Sequence, residues 1–391
     1  MRGVYLAVVF ASVILLVGAG AAQPPFEPPF GAEWRKEALD LAQSVGMFGP
    51  LSFEGGVLEG AFVEAEMLGT DGSLASFSIV RDGVSTEVFA QVEVEGTTET
   101  GAWALAPEES PALLFEGTDV SVSIHNNPSR ALVYRSMAQQ LSITFTAAPG
   151  VFFALQSDSV LVSGTGFSGQ LATPGSSTTS VEPNVVRVGL SQGSVISFRA
   201  HPADDEGAVG SWAQATVFNA LARQRLGAEL FLVAFEGGIM EDAVLYSDIS
   251  VKSSLDAAGN VEVTISRDSQ TAVPSPGIVV AINLHHEVLK IADMDRLSVE
   301  LDGNPVERTN NADEIPSSSS SSPRYYAATG PNGIIFLVYI PELSTKILTI
   351  GELLEGPIRE LTPGVIMYVL LGVAVTAAAS AAIFRRGKGA W

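Results

Sequence analysis

Apolar and polar residues alternate with a period of two through much of the segment 51–200. In the stretch 87–94, positions 88, 90, 92 and 94 are valine or alanine, and three of the other four positions, Glu87, Gln91 and Glu93, are polar. Runs of this kind are separated by turn-forming sequences such as Asp82-Gly83. The pattern predicts half-buried antiparallel strands that turn one face toward a core.

A second region of alternating residues covers the segment 228–350. Val261, Val263 and Ile265 alternate with polar residues, and a later run ends at the turn sequence Asp302-Gly303. The sequences GIIFLVYI and TKILTI, near the end of this region, predict a pair of strands. The chain is therefore predicted to be all-β, with mainly antiparallel β-sandwich domains, a few helices and one C-terminal transmembrane helix.

Two segments change to the period of a helix. The segment 33–45 carries a stripe at three- and four-residue intervals, formed by Trp34, Ala38, Leu41, Ala42 and Val45. A second stripe follows the acidic sequence Asp204-Asp205-Glu206, which suits a helix N-terminus, and Gly227 can end that helix in a left-handed cap. The second stripe is formed by Val209, Ala213, Val217, Ala220 and Leu221.

Long apolar segments lie near both ends of the chain. The first follows Arg2 and ends in small residues near Ala22, as in a secretory signal peptide. The second covers residues 364–384 without any charge, which is about the length that crosses a bilayer, and basic residues follow it. We expect a cleaved signal and a single-pass protein in the cell membrane, with the N-terminal ectodomain outside and a short tail in the cytoplasm.

The chain is strongly acidic, with 21 basic and 43 acidic residues and a formal net charge of −22. Such a surface repels phosphate backbones and anionic headgroups, which argues against nucleic-acid binding. Cysteine is absent. Disulfides, thiolate nucleophiles and cysteine-ligated metals are therefore excluded, and for an exported protein this favours a prokaryotic envelope.

These signals divide the chain into eight predicted segments. They are a signal peptide (1–22), a proline-rich lead-in with a short amphipathic helix (23–50), a β-sandwich-like domain (51–200), a connecting helix (201–227), a β-rich domain (228–350), a juxtamembrane linker (351–363), the transmembrane helix (364–384) and a cytoplasmic tail (385–391).

Two glycine motifs match catalytic or cofactor-binding patterns. Gly164–Gly169 matches GxGxxG, but no helix pattern follows it to hold a pyrophosphate, so we interpret it as a loop between strands. Gly189–Gly193 matches GxSxG, but a strand pattern follows Ser191 instead of the helix of a nucleophile elbow. We interpret this second motif as a hairpin turn.

The histidines number four, and a surface hydrolase would need one of them within hydrogen-bond reach of a serine and a carboxylate. They are His125, His201, His285 and His286. His285-His286 precedes Glu287, but adjacent side chains on a strand point to opposite faces, which disfavours a shared metal ion.

Two acidic groups could contribute oxygen ligands to calcium, and neither has the spacing of a known calcium-binding loop. They are Asp293 with Asp295, and Asp204 with Asp205 and Glu206. We interpret both groups as solvated acidic loops.

The last β segment carries a recognisable set of features. An apolar strand ends at Asn283, a second strand enters Leu301-Asp302-Gly303, and the sequence Ile340–Thr345 precedes the final strand. This pattern resembles a C-terminal ectodomain module of archaeal cell-surface proteins, including S-layer-related ones. The resemblance implies an archaeal origin and an envelope location, and it implies no catalytic residues.

The sequence thus predicts an archaeal-type cell-surface protein with a structural, adhesive or envelope-assembly role and without enzymatic activity, catalytic residues, metal or cofactor. Expected partners are the membrane and other envelope proteins or further copies of the chain. One alternative is a solute- or ion-binding ectodomain of a transport or secretion complex, with a site lined by aromatic residues such as Trp103, Phe152, Phe153 or Trp212. A surface hydrolase is a third hypothesis.

Overall fold

The computed structural model describes residues 32–97, 101–105, 110–156, 159–173, 177–202, 210–267, 277–289, 294–317, 320–330 and 332–352. The chain divides into two compact units, residues 1–290 with 299–350, and residues 291–298 with 351–391. In the second unit a 3-10 turn covers Met294–Arg296, and Arg296 Nε lies 3.2 Å from Glu352 Oε1.

The first sheet has eight strands, and every neighbouring pair is antiparallel. In spatial order the strands are β1 (Leu51–Glu54), β2 (Val57–Gly60), β3 (Val63–Leu68), β4 (Ser73–Arg81), β5 (Val84–Glu95), β10 (Gln140–Ala147), β15 (Val185–Ser191) and β14 (Thr178–Glu182).

The second sheet also has eight strands with antiparallel neighbours throughout. In spatial order they are β11 (Phe152–Leu155), β12 (Ser159–Gly164), β13 (Phe167–Ala172), β16 (Val195–Pro202), β9 (Leu132–Ser136), β8 (Val120–His125), β7 (Ala112–Glu116) and β6 (Ala102–Leu105).

These two sheets pack face to face as a β-sandwich around one apolar core. Phe198 of the second sheet lies between two rings of the first, with centroids 5.9 Å from Phe77 and 4.9 Å from Phe89. The predicted alternation is confirmed in most of the strands for which it was predicted. In β8, for example, Val120, Val122 and Ile124 are buried in this core.

The alternation predicted for β5 does not account for the burial of Phe89. Val88, Val92 and Val94 are buried as predicted, but Phe89 is fully buried beside Val88. The pairing of β5 with β4 shifts register near Phe77, and its pairing with β10 shifts near Ala147. An irregularity of this kind lets two successive side chains enter the same core, which strict alternation does not allow.

The third sheet has six strands and mixes pair orientations. In spatial order they are β18 (Gly238–Leu245), β17 (Leu226–Phe235), β21 (Ile278–His285), β26 (Gly333–Ile340), β25 (Arg324–Gly330) and β24 (Glu307–Arg308). β17 pairs with β21 in parallel, as does β24 with β25, and the other pairs are antiparallel.

The fourth sheet has five strands. In spatial order they are β19 (Ile249–Leu255), β20 (Val261–Arg267), β27 (Lys346–Glu352), β22 (Leu297–Leu301) and β23 (Asn304–Pro305). The predicted turn at Asp302-Gly303 is present, with φ of 53° and 73°. GIIFLVYI and most of TKILTI form strands, β26 and β27. Their predicted pairing is wrong, because the two strands belong to different sheets.

The first helix, α1 (Ala32–Ser44), matches the prediction in position but not fully in its buried face. Ala38 and Ala42 are buried as predicted, whereas Leu41 is 39% exposed and Leu39 is fully buried. Leu39 packs with Phe48 against Phe231 of the third sheet. The surface on which α1 packs therefore determines which helix face is buried, and that face contains Leu39.

Two further helices are α2 (Gly210–Ala222) and α3 (Glu314–Ser317). Val217, Ala220 and Leu221 of α2 are buried, as the predicted stripe requires. The predicted cap at Gly227 is wrong, because Gly227 lies within β17. The left-handed residue after α2 is Gln224, with φ of 55°, and its side-chain amide donates to the Thr173 carbonyl at 2.7 Å.

An apolar cluster joins the second sheet to the third sheet and to α2 and α3. Its members come from residues 131–172, from α2, from α3 and from the third sheet, and they include Ala131, Val133, Ala172, Val217, Leu221, Leu226, Val244, Val279, Ile315 and Leu337. The sheets change at the α2 segment, since the first two use residues 51–202 and the last two use residues 226–352. The division into two domains stays a prediction.

The described residues confirm a mainly antiparallel all-β fold with β-sandwich character and few helices. Within that part of the chain, no helix combines the length and the apolar character needed to cross a membrane. The segments predicted as signal peptide (1–22) and transmembrane helix (364–384) lie outside the described residues.

Candidate functional site

A continuous set of buried polar side chains connects the second sheet to the third. Arg199 and His125 belong to strands of the second sheet, and Glu229 and Asp242 belong to strands of the third. All four side chains are at least nine-tenths buried. Because buried polar groups cost free energy unless they are hydrogen-bonded, this set is the strongest candidate for a functional or specificity-determining site.

Arg199 and Glu229 form an ion pair with two parallel hydrogen bonds. Arg199 donates from Nε to Glu229 Oε2 and from Nη2 to Glu229 Oε1, each at 2.9 Å. Nη2 also donates to Gln214 of α2 at 2.6 Å, and the guanidinium lies 4.9 Å from the ring centroid of Phe218. Burial opposes the charge of Arg199, but the carboxylate of Glu229 raises its pKa above the ordinary value. The guanidinium of Arg199 therefore stays charged.

Tyr246 extends the pair toward a second cluster. Its hydroxyl donates to Glu229 Oε2 at 3.2 Å and is also in hydrogen-bond contact with Ser129. Burial, followed by the charge of Glu229, raises the pKa of Tyr246 well above its usual value, so the hydroxyl remains a donor. Ser129 in turn donates its hydroxyl to Asn127 Oδ1.

His125 lies between a serine and a carboxylate. Its Nδ1 is 2.9 Å from Asp242 Oδ1, and its Nε2 is 3.1 Å from Ser123 Oγ. Asn127 donates its side-chain amide to the other oxygen of Asp242 at 2.7 Å. If Nδ1 carries the proton, Nε2 accepts from Ser123, which is the order of roles in a serine–histidine–aspartate triad.

The strand position of Ser123 limits what this triad can do. Ser123 is half-buried in the middle of β8, opposite Leu114 of β7 and Val133 of β9. Its backbone therefore takes part in the sheet ladders, whereas hydrolases use a sharp turn that leaves backbone N–H groups for the oxyanion. The arrangement supplies a base and its orienting carboxylate without that turn.

A third polar contact crosses the same junction nearer the surface. Arg135 of β9 donates from Nη1 to Asp248 at 2.6 Å and from Nη2 to the Ser247 carbonyl at 2.9 Å. The two side chains are 21% and 31% exposed. The junction therefore combines an apolar cluster with three sets of directional polar contacts.

The two glycine motifs are turns in the structure. Thr165-Gly166 forms the loop of the β12–β13 hairpin, with φ of 81° at Gly166, so the interpretation of Gly164–Gly169 as a loop between strands is confirmed. Ser191 ends β15, and its hydroxyl is 2.9 Å from that of Ser194. The hairpin prediction for Gly189–Gly193 is wrong, because this turn takes the chain from the first sheet to the second.

His285 and His286 also depart from the prediction. Their ring centroids are 3.9 Å apart, since β21 ends at His285 and the chain turns there instead of continuing as a strand. Burial, followed by the neighbouring His286, lowers the pKa of His285. His286 Nε2 is 3.5 Å from Glu287 Oε1. His201 lies apart from them, with its ring edge-on to Phe218 at 4.8 Å.

The structure describes only part of the acidic and aromatic candidates. Asp295 is exposed in the 3-10 turn of the second unit, while Asp293 and the sequence Asp204-Asp205-Glu206 lie outside the described residues. Within the described part of the chain, no group of three or more His, Asp or Glu side chains could hold a metal ion.

The aromatic residues do not form one site. Trp103 lies on β6 and Phe152 and Phe153 lie on β11, which are the two opposite edges of the second sheet. Phe153 is buried in the core beside Phe89, whereas Phe152 is 64% exposed. The structure does not describe the side chain of Trp212.

Sequence reasoning missed most of the polar network. His125 was among the candidates, but Arg199, Glu229, Asp242 and Asn127 were not. One signal was available, because Glu229 stands within the apolar run LGAELFLVAF, and a carboxylate in a buried strand needs a partner. The identity of that partner depends on which strands meet, which the local sequence does not reveal.

Comparisons with known proteins add no family. No protein-family model and no curated protein matches the chain. A YidC insertase structure has a TM-score of 0.30 and 13% identity, covering 42% of this chain and 44% of that one. A family 81 glycoside hydrolase from Clostridium thermocellum has a TM-score of 0.30 and 10% identity over 78% of this chain and 35% of that one. YidC from Thermotoga maritima has a TM-score of 0.28 and 14% identity, covering 39% and 50%.

The chain thus spans half or less of the length of each of these structures. TM-scores this low carry no argument about fold or activity.

Proposed function

We propose that this chain is a single-pass, archaeal-type cell-surface protein with a structural or adhesive role in the envelope. The observation that carries the proposal is the buried polar network between the second and third sheets. Arg199, Glu229 and Asp242 make directional contacts that a sliding or rotated junction would break. Such contacts suit an ectodomain that must hold one fixed arrangement of its sheets.

The two terminal apolar segments support the location. A positive residue before an apolar run and small residues near Ala22 suit export, and residues 364–384 followed by basic residues suit an anchor with its tail inside. Expected partners are other envelope proteins or further copies of the chain. The resemblance of the last β segment to archaeal surface modules supports the same location.

Surface labelling of intact cells tests this topology. Lys252 is exposed in β19, whereas Lys388 lies in the predicted cytoplasmic tail. A membrane-impermeant amine reagent should label Lys252 in intact cells and Lys388 only after lysis. A chain shortened after residue 363 should appear in the medium instead of the membrane fraction. Labelling of Lys388 but not Lys252 in intact cells, or a full chain confined to the soluble cell extract, would contradict the proposal.

The geometry of His125 favours one second candidate function, ester hydrolysis. In that reaction the Ser123 oxygen bonds to the ester carbonyl carbon while its proton moves to His125 Nε2. The leaving alkoxide takes that proton, and water releases the acyl group by the same steps in reverse. Asp242 and Asn127 would hold the imidazole in position.

A fluorophosphonate probe separates the two functions. A hydrolase predicts labelling of the full chain that disappears in Ser123→Ala and falls strongly in His125→Ala. The structural role predicts no labelling of the full chain. A Ser191→Ala variant is the matched control, because Ser191 is the serine of the GxSxG sequence and contacts no histidine in the described structure.

A further inference from the structure

A cleft at one end of the first sandwich is lined by two arginines. Its volume is about 220 Å³, and Arg81, Arg130, Thr86, Thr165 and Gly166 line it together with Asp82 at the rim. We propose that this cleft binds a small oxyanion, a carboxylate or phosphate group carried by a ligand of the protein. The proposal does not depend on the envelope role proposed above.

Three turns bring these residues together. Arg81 and Thr86 flank the β4–β5 hairpin, whose turn residues Asp82 and Gly83 have φ of 51° and 74°. Thr165-Gly166 is the turn of the β12–β13 hairpin, and Arg130 lies between β8 and β9. Loops that meet at one end of a rigid sandwich are where such folds commonly place binding residues.

Arg130 is held in place by several contacts. Its Nε donates to the Val80 carbonyl at 3.3 Å and its Nη1 to the Pro128 carbonyl at 2.8 Å. The guanidinium also lies 5.5 Å from the ring centroid of Phe62. The side chain is thus preorganised, which lowers the entropy lost when it binds a ligand.

The backbone of Arg130 adopts a conformation that favours glycine. Its φ is 50°, and an L-residue with a long side chain spends free energy to occupy this left-handed region. A glycine would fill the position without that cost. An arginine in a strained turn that lines a cleft points to a use for its side chain.

The charge of the cleft contrasts with that of the chain. Two arginines line it, whereas the whole chain has a net charge of −22. Guanidinium groups present paired N–H donors that match the oxygen spacing of carboxylate and phosphate, and the Thr86 and Thr165 hydroxyls are further donors. Asp82 is the opposing group, with its Oδ2 3.5 Å from Arg81 Nε.

The test is calorimetric titration of the full chain with inorganic phosphate and with acetate, against chloride at equal ionic strength. We expect saturable heat for at least one oxyanion. Arg81→Gln should weaken binding roughly tenfold, because it removes a charge-assisted contact. Asp82→Asn should strengthen binding, because it removes a repelling carboxylate while asparagine still suits a left-handed turn position. The ratio of phosphate to acetate affinity identifies which oxyanion chemistry the cleft prefers.

Arg130→Gly removes the second guanidinium and relieves the backbone strain, so it should fold and bind more weakly. Arg187→Gln is the matched control, since Arg187 is an arginine of the first sheet that pairs with Glu182 and does not line the cleft. Thermal unfolding without anion checks the fold of each variant. Equal heats for phosphate, acetate and chloride would overturn the proposal. Unchanged affinity in Arg81→Gln and Asp82→Asn would overturn it as well, by showing that the anion binds elsewhere.

Discussion

Arg199 and Glu229 show what one buried ion pair requires of its surroundings. The two side chains are 0% and 1% exposed, so both have lost their hydration. Two mutual hydrogen bonds, the Gln214 amide oxygen, the Tyr246 hydroxyl and the Phe218 ring replace much of that water. Desolvation often cancels the attraction within such pairs, so the pair is better evidence for a specific arrangement than for high stability.

Removing one partner of the pair should be costly. Glu229→Gln leaves the Arg199 charge buried without compensation, and we expect a loss of about 3–5 kcal/mol in the free energy of unfolding. Urea unfolding measures this loss. Arg187→Gln, which breaks the exposed pair with Glu182, should cost about 0–1 kcal/mol. Equal effects of the two substitutions would show that the Arg199–Glu229 pair is not buried in solution.

Glu241 should make the free energy of unfolding depend on pH, and the direction of its pKa shift gives the sign of that dependence. Burial raises the pKa of its carboxyl above the ordinary 4.5, while hydrogen bonds from Ser253 lower it by less. The folded protein therefore binds this proton more tightly than the unfolded chain. Its contribution to stability is complete below the ordinary pKa and is lost as the pH rises through the folded pKa.

Glu241→Gln should accordingly raise the free energy of unfolding at pH 7 and change it little at pH 4, because the amide is neutral and can still accept from Ser253. Urea unfolding at the two pH values measures the difference.

Asp302→Asn is a control, because its effect on the free energy of unfolding at pH 7 should have the opposite sign. The Ile347 N–H and Lys346 lower the pKa of Asp302, so its contribution is present above about 3.8 and lost at lower pH. This variant should lose stability at pH 7. A Glu241→Gln variant that loses stability at pH 7 as well would contradict the assignment.

At the scale of elements, alternation in the sequence predicted several strands and most of the faces that those strands bury. Alternation was sufficient for β15, β20 and β22, because each has one face on a core. It failed at Phe89, where a register shift brings two neighbouring residues inward, and at Leu41, where the α1 stripe was wide enough for two faces. Sheet membership of β26 and β27 was beyond prediction, since pairing depends on strands far away in the chain.

The candidate site was missed for the same reason, because its residues come from strands that lie far apart in the chain. The four histidines were visible in the sequence, but the acceptor of His125 is Asp242, 117 residues later in the chain. Local pattern identifies a polar residue on a strand, and only the pairing of sheets identifies what it meets.

The buried face of α1 can be tested directly. Leu39 is fully buried against Phe48 and Phe231, so Leu39→Ala should cost about 2–5 kcal/mol in the free energy of unfolding. Leu41 is 39% exposed, and Leu41→Ala should stay within about 0.5 kcal/mol. Thermal or urea unfolding compares the two. A larger loss of unfolding free energy in Leu41→Ala than in Leu39→Ala would contradict this assignment and favour the buried face predicted from the sequence.

At the scale of the whole molecule, the junction between the second and third sheets should couple their unfolding. The apolar cluster and the polar network join residues 123–199 to residues 217–248. In hydrogen-exchange experiments, amides of β10 and β21 should therefore exchange through one global opening with the same free energy. Glu229→Gln should separate the two values, and Arg187→Gln should not. Distinct values in the parent chain would show that the two regions open independently.

The order of the ion pair along the chain has a consequence for biosynthesis. Arg199 lies in β16, the last strand of the first two sheets, and Glu229 lies 30 residues later in β17, the first strand of the third sheet. A polypeptide that emerges from its N-terminus can close the first sandwich core before Glu229 exists. The Arg199 guanidinium then stays hydrated. This side of the partly synthesised chain remains exposed to solvent and to other molecules until β17 has been synthesised. Translation or export that pauses within this interval prolongs that exposure.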